Sequence, residues 1–166
     1  MTSPVRGVAA GAVGTAVLNT VTYLDMAVRG RPSSSVPADT AGKMADLAGV
    51  SLAAEGDDSD KASARREAVG ALLGYAAGFG VGAVYGLLRP GPLRGIPRSV
   101  ASVGLAAAAT VSTVAPYAAL GVSDPRSWPA KSWAADIIPH LCYGWATAAA
   151  FDVLHQAGGT ARGRNR

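Results

Sequence analysis

The stretch that decides the fold runs from Ala68 to Leu88, AVGALLGYAAGFGVGAVYGLL, and contains no charged residue. A helix of this length, at 1.5 Å per residue, matches the roughly 30 Å hydrocarbon core of a bilayer. A helix with one face in water would place a charge on that face every few residues, and this one does not. Gly70, Gly74, Gly78, Gly82 and Gly86 recur through it at intervals of four. Residues four apart share one face of a helix. In water each such Gly costs about 1 kcal/mol relative to Ala. In lipid no hydrophobic drive pulls helices together, and small residues favour association by letting backbones approach. The pattern predicts a membrane-spanning helix with a packing stripe, a glycine zipper.

Three further windows have the same character. Gly7 to Leu24 and Ser99 to Ser123 carry no charge, and Ile137 to Phe151 carries only His140. Spans are therefore expected over about 8–28, 68–88, 99–122 and 133–154, by the length a bilayer requires. The fold class is all-α: one domain over residues 1–166, an integral membrane four-helix bundle. A water-soluble bundle would need four helices apolar all round, with nothing left to cover them. The first window is read as a retained anchor rather than a cleaved signal peptide. It is long, it meets Asp25 at its end, and no small-x-small cleavage site is evident.

Composition agrees. Charged residues make up 16% of the chain and 21 residues are Gly. Ordinary soluble domains carry about 25% charged residues. Disorder needs high charge and low hydrophobicity, and a disulfide scaffold needs more than the single Cys142. The net charge of +4 suggests a nucleic-acid partner only if basic residues cluster on one face. Here they flank the spans, so no nucleic acid is expected and the lipid bilayer is the expected partner.

Residues 30–66 form the one large segment outside the spans. Pro37 and Asp39 suit the first turn of a helix. Met44, Leu47, Ala48 and Leu52 then predict a short amphipathic helix over about 37–53, either on the membrane surface or capping the bundle. The acidic run from Glu55 to Asp60 lacks the twelve-residue ligand spacing of a calcium loop and reads as a solvated linker. Trp128 and Trp133 read as interfacial anchors. The termini and the loop from Arg89 to Arg98 share one side. That side holds seven basic residues, while the other loops hold eight basic and eight acidic ones. Basic residues concentrate on cytoplasmic sides, so the Arg-only loop and tail place the termini in the cytoplasm of a bacterial inner membrane.

The polar residues near the spans are few. Asp25 and Asp136 fall in the same leaflet in any four-span topology, with His140 one turn deeper than Asp136. Pro116, Tyr117 and Pro139 lie toward that end, and each proline frees a helix carbonyl. A charge inside a membrane requires a partner or water, and His exchanges protons near neutral pH. Asp25, Asp136 and His140 are thus the candidate proton or cation site. Ion pairing of the aspartates with Arg29 or Lys131, and a His140 hydrogen bond to a helix carbonyl, are the plainer alternatives. No catalytic set, cofactor site or metal-ligand set is expected: one His is too few for a metal, and Cys142 reads as a small hydrophobe.

The segment DIIPHLCYG, Asp136 to Gly144, follows three Ala/Gly-rich spans and resembles the last span of the YagU-type family of small inner-membrane proteins. Gly11 to Asp25 and Arg29-Gly30-Arg31-Pro32 are similar to the start of small actinobacterial four-span membrane proteins. The resemblance implies a tie to acid tolerance, which a protonatable Asp–His group would suit, and no established functional residues. The expected role is a non-enzymatic packing, accessory or oligomeric scaffold subunit, as a homo-oligomer or within a larger membrane complex. The alternative is a proton- or ion-linked channel or transporter.

Overall fold

The computed structural model describes residues 3–54 and 56–163. Glu55 of the acidic run and the last basic residues, 164–166, lie outside them. Among the described residues five α-helices follow one another: α1 (Ser3–Arg29), α2 (Val36–Leu47), α3 (Ser59–Leu88), α4 (Arg98–Ala119) and α5 (Ala130–Gly163), with one 3-10 turn at Pro125–Ser127. No strand occurs among the described residues. The helices α1, α3, α4 and α5 are each long and apolar enough to cross a membrane.

The helix limits follow from local chemistry and depart from the apolar windows in both directions. α3 starts well before Ala68. The Asp58 carboxylate accepts the Lys61 backbone N–H at 2.9 Å and caps the helix, and Asp57 pairs with Arg65. Part of the acidic run therefore starts a helix rather than serving only as a linker. α5 continues past Leu154 to Gly163. α4 stops at Ala119, short of 122, and α2 stops at Leu47, short of 53. Both corrections have one cause. Gly121 and Gly49 take φ of +62° and +72°, and the next residues, Val122 and Val50, donate back to Tyr117 O and Ala45 O at 2.9 Å. A left-handed glycine satisfies the last carbonyls and ends the helix.

The long helices pack in the order α3, α1, α5, α4, with α3 and α4 meeting only narrowly. α5 is the most enclosed of them, and it supplies the largest fully buried side chains, Tyr143, Thr147 and Phe151. Around these gather Ala10 of α1, Tyr85 of α3, and Leu105 and Ala109 of α4. Phe151 meets Tyr85 edge to face, with ring centroids 5.1 Å apart. The core is thus a few large rings on α5 and α3 set among alanines and glycines, so backbones elsewhere approach closely.

α2 lies against α3 and α4. It buries Thr40, Ala41 and Gly42, while Met44 and Leu47 are exposed. The expected amphipathic face, with Met44 and Leu47, is thus turned away from the bundle rather than capping it. The small residues lie against the bundle because they permit closer approach, and the large apolar ones are left outside.

Candidate functional site

The glycine stripe of α3 meets a matching row on α1. The two helices run antiparallel, so Ser3, Gly7, Gly11 and Thr15 face Gly86, Gly82 and Gly78 in reverse order. A methyl group on Gly82 would lie 2.7 Å from Gly11 Cα, one on Gly86 2.9 Å from Gly7 Cα, and one on Gly11 2.6 Å from Gly78 O. Real Cβ atoms do not make such contacts, and the obstructing atoms are backbone. Ser3 Oγ closes the end of the seam by donating to Gly86 O at 2.7 Å. Gly70 faces α2 instead, where a methyl group would lie 2.8 Å from the Pro37 carbonyl carbon.

Gly74 breaks the series. Among the described residues, no atom beyond its own stretch of helix backbone lies within 4 Å of the position its Cβ would occupy. Beside it, Asn19 Nδ2 donates to Tyr75 Oη at 3.3 Å, and Tyr23, one turn further along α1, is 64% exposed. Small residues face one another along one half of the α1–α3 seam, and larger ones stand at Asn19 and Tyr75. Gly74 therefore belongs to the stripe by spacing and not by contact. Gly80 of α3 and Gly104 of α4 are likewise open.

The spacing of α3 alone did not reveal the residues that lock this seam from the other side. Tyr143 of α5 is 1% exposed and donates from Oη to Gly78 O at 2.6 Å. Thr15 Oγ1 returns to Gly11 O at 2.9 Å and covers Gly78. Gly144 opposes α4, where a methyl group would lie 2.9 Å from Ala106 N. Within α5, Tyr143 carries only one polar atom in an apolar run, so its sequence neighbourhood does not mark it.

The polar candidates divide into two groups. Asp25 forms ion pairs with Arg29 at 2.6 Å and Arg31 at 2.7 Å. The loop just beyond α1 thus supplies its second cation. Asp136 and His140 stay together on α5. His140 Nδ1 donates to the Asp136 backbone carbonyl at 2.7 Å and stands 3.5 Å from its Oδ2. That Oδ2 is buried with no hydrogen-bond partner among the described residues. With Nδ1 as donor, the neutral ring leaves Nε2 as its acceptor. Asp136 and His140 thus form one polar group near the start of α5, while Asp25 pairs with Arg29 and Arg31. Among the described residues no three His, Cys, Asp or Glu side chains gather as a metal site would need.

Comparison with protein-family models, with curated proteins and with solved structures finds no match to this chain.

Proposed function

We propose that this chain is an integral four-span membrane protein that serves as a non-enzymatic accessory or scaffold subunit, associating through the outer faces of its helices. The observation that carries this reading is Gly74. A glycine within a helix costs about 1 kcal/mol relative to Ala unless a close neighbour needs the space. Gly70, Gly78, Gly82 and Gly86 have such neighbours within the chain, and Gly74 has none. A neighbour from a second copy or a larger subunit gives Gly74 the role its stripe partners have. The filled centre at Tyr143, Thr147 and Phe151 supports a role in binding rather than in passing a solute through one bundle.

The test is native mass in mild detergent. Wild type is expected as a complex larger than one chain. Gly74→Leu is expected to reduce it to single folded chains, because its side chain points into open space. A monomeric wild type, or a Gly74→Leu variant of unchanged mass, defeats the reading. Gly78→Leu is unsuitable for this purpose, since Thr15 and Tyr143 already occupy the space around Gly78.

The unpartnered Oδ2 of Asp136 favours a second reading, a proton- or cation-linked function at the Asp136–His140 pair. An isolated carboxylate oxygen in a low-dielectric setting is stabilised by a proton or a cation. In proteoliposomes this reading expects a pH-gradient-driven flux that falls about tenfold or more in Asp136→Asn, by analogy with general acid–base losses, and also falls in His140→Ala. Flux equal to that of empty liposomes, or equal in wild type and both variants, excludes it. The termini, beside the Arg-rich loop, are assigned to the cytoplasmic side of a bacterial inner membrane.

A further inference from the structure

The short helix α2 is held at a definite height. Its Pro37 backbone abuts Gly70 and its Gly42 faces the Arg66 side chain, 3.4 Å from where a Cβ would sit. Lys43 Nζ donates to Leu120 O at 2.9 Å, at the end of α4. Gly70 lies just inside the charge-free stretch of α3, with Arg65, Arg66 and Glu67 immediately before it. Leu120 closes α4 three residues before the end of its own charge-free stretch at Ser123. Both attachment points mark the level at which the long helices leave their apolar segments, so α2 lies at that level.

The part of α2 turned away from the bundle is divided by polarity. Asp39 and Asp46 fall within about 20° of each other on an ideal helix, and Met44 and Leu47 within about 60°, the two pairs being about 120° apart. Met44 is 42% exposed and Leu47 77%. Val50, just beyond the end of the helix, is 53% exposed. Lys43 lies between the two flanks and sends its ammonium to the end of α4.

We propose that α2 is seated in the bilayer interface, with Met44, Leu47 and Val50 against lipid acyl chains and Asp39 and Asp46 in water. This rests on the reading of the long helices as membrane spans. Lipid is the occupant because the apolar flank lies at the level where the charge-free stretches of α3 and α4 have their ends, near Gly70 and Leu120. An amphipathic helix at that depth buries its apolar flank at the headgroup–acyl boundary. The helix then sets the depth of the bundle through Gly70 and Leu120.

The test uses full-length protein in liposomes, with Cys142→Ser as background and single fluorophore labels at Leu47→Cys, Asp46→Cys and, as a mid-span control on α4, Val111→Cys. Val111 is exposed on the bundle surface. Brominated lipid is expected to quench the Leu47 and Val111 labels about twofold or more, while aqueous iodide quenches chiefly the Asp46 label. If Val111 reports lipid and Leu47 reports iodide, the interfacial seat of α2 is overturned and the spans stand. If Val111 itself reports iodide, the spans fail and the proposal with them. A Leu47 label shielded from both quenchers means that protein covers the flank, which also overturns it.

Discussion

Gly82→Ala is expected to separate α1 from α3 and destabilise the protein by about 3 kcal/mol, the upper part of the range typical of overpacking. The added methyl meets Gly11 Cα at 2.7 Å and Gly11 N at 2.9 Å. Both are backbone atoms, so no rotamer change relieves the clash and the two helices must move apart. Parting them also removes the adjoining contacts at Gly7, Gly11 and Gly86, which share the seam. Gly74→Ala supplies the internal contrast. Within one chain its methyl enters open space, so in single chains dispersed in micelles this exchange is expected to be neutral or to stabilise α3 by up to about 1 kcal/mol. Two identical substitutions, two helical turns apart on one stripe, thus carry opposite signs. Denaturant-induced unfolding in detergent micelles, followed by tryptophan fluorescence, measures both. Equal stability of the two variants would show that the α1–α3 seam is not what holds the bundle together.

The second large effect is expected at Phe151. Phe151→Ala removes a ring that is 2% exposed and packed edge to face on Tyr85. In lipid this is a loss of packing rather than of water exclusion, because apolar surface is no less stable against acyl chains. The lost dispersion contacts and the cavity remain, and buried Phe→Ala changes cost about 3 kcal/mol or more. Phe151 matters more than its single contact suggests because α3 and α4 meet only narrowly. The Phe151–Tyr85 contact spans from α5 to α3 on that side of the bundle. The same micelle unfolding experiment is expected to show the loss, with Phe151→Leu falling between wild type and the alanine variant. A Phe151→Ala protein as stable as wild type would place the bundle's stability elsewhere.

The architecture was legible because four helices leave a one-dimensional trace. Gly7 to Leu24, Ala68 to Leu88 and Ser99 to Ser123 lack charge altogether, and absence of charge over a bilayer's length needs no tertiary information to interpret. The stripe from Gly70 to Gly86 was legible in the same way, as residues sharing one face of a helix. Helix ends were less so. A glycine in sequence does not announce a positive φ, and Gly49 and Gly121 ended α2 and α4 earlier than hydropathy implied.

Which neighbours the stripe meets lay beyond periodicity. A repeat of four defines one face of α3, and every long helix of this chain offers a small-residue row that such a face accepts. Only the packing shows that Gly78, Gly82 and Gly86 meet α1, that Gly70 meets α2, and that Gly74 meets nothing. The polar residues follow the same division. Topology alone places Asp25 and Asp136 toward the same end of the helix bundle, but pairing depends on which side chains reach each other across a few ångströms. Arg29 and Arg31 reach Asp25, and Asp136 keeps His140 and an unpartnered oxygen. Chain order and hydropathy act along one dimension and determine which helices are long and apolar enough to cross a membrane. Contact is decided by three-dimensional distance, which here depends on single methyl groups present or absent at glycine positions.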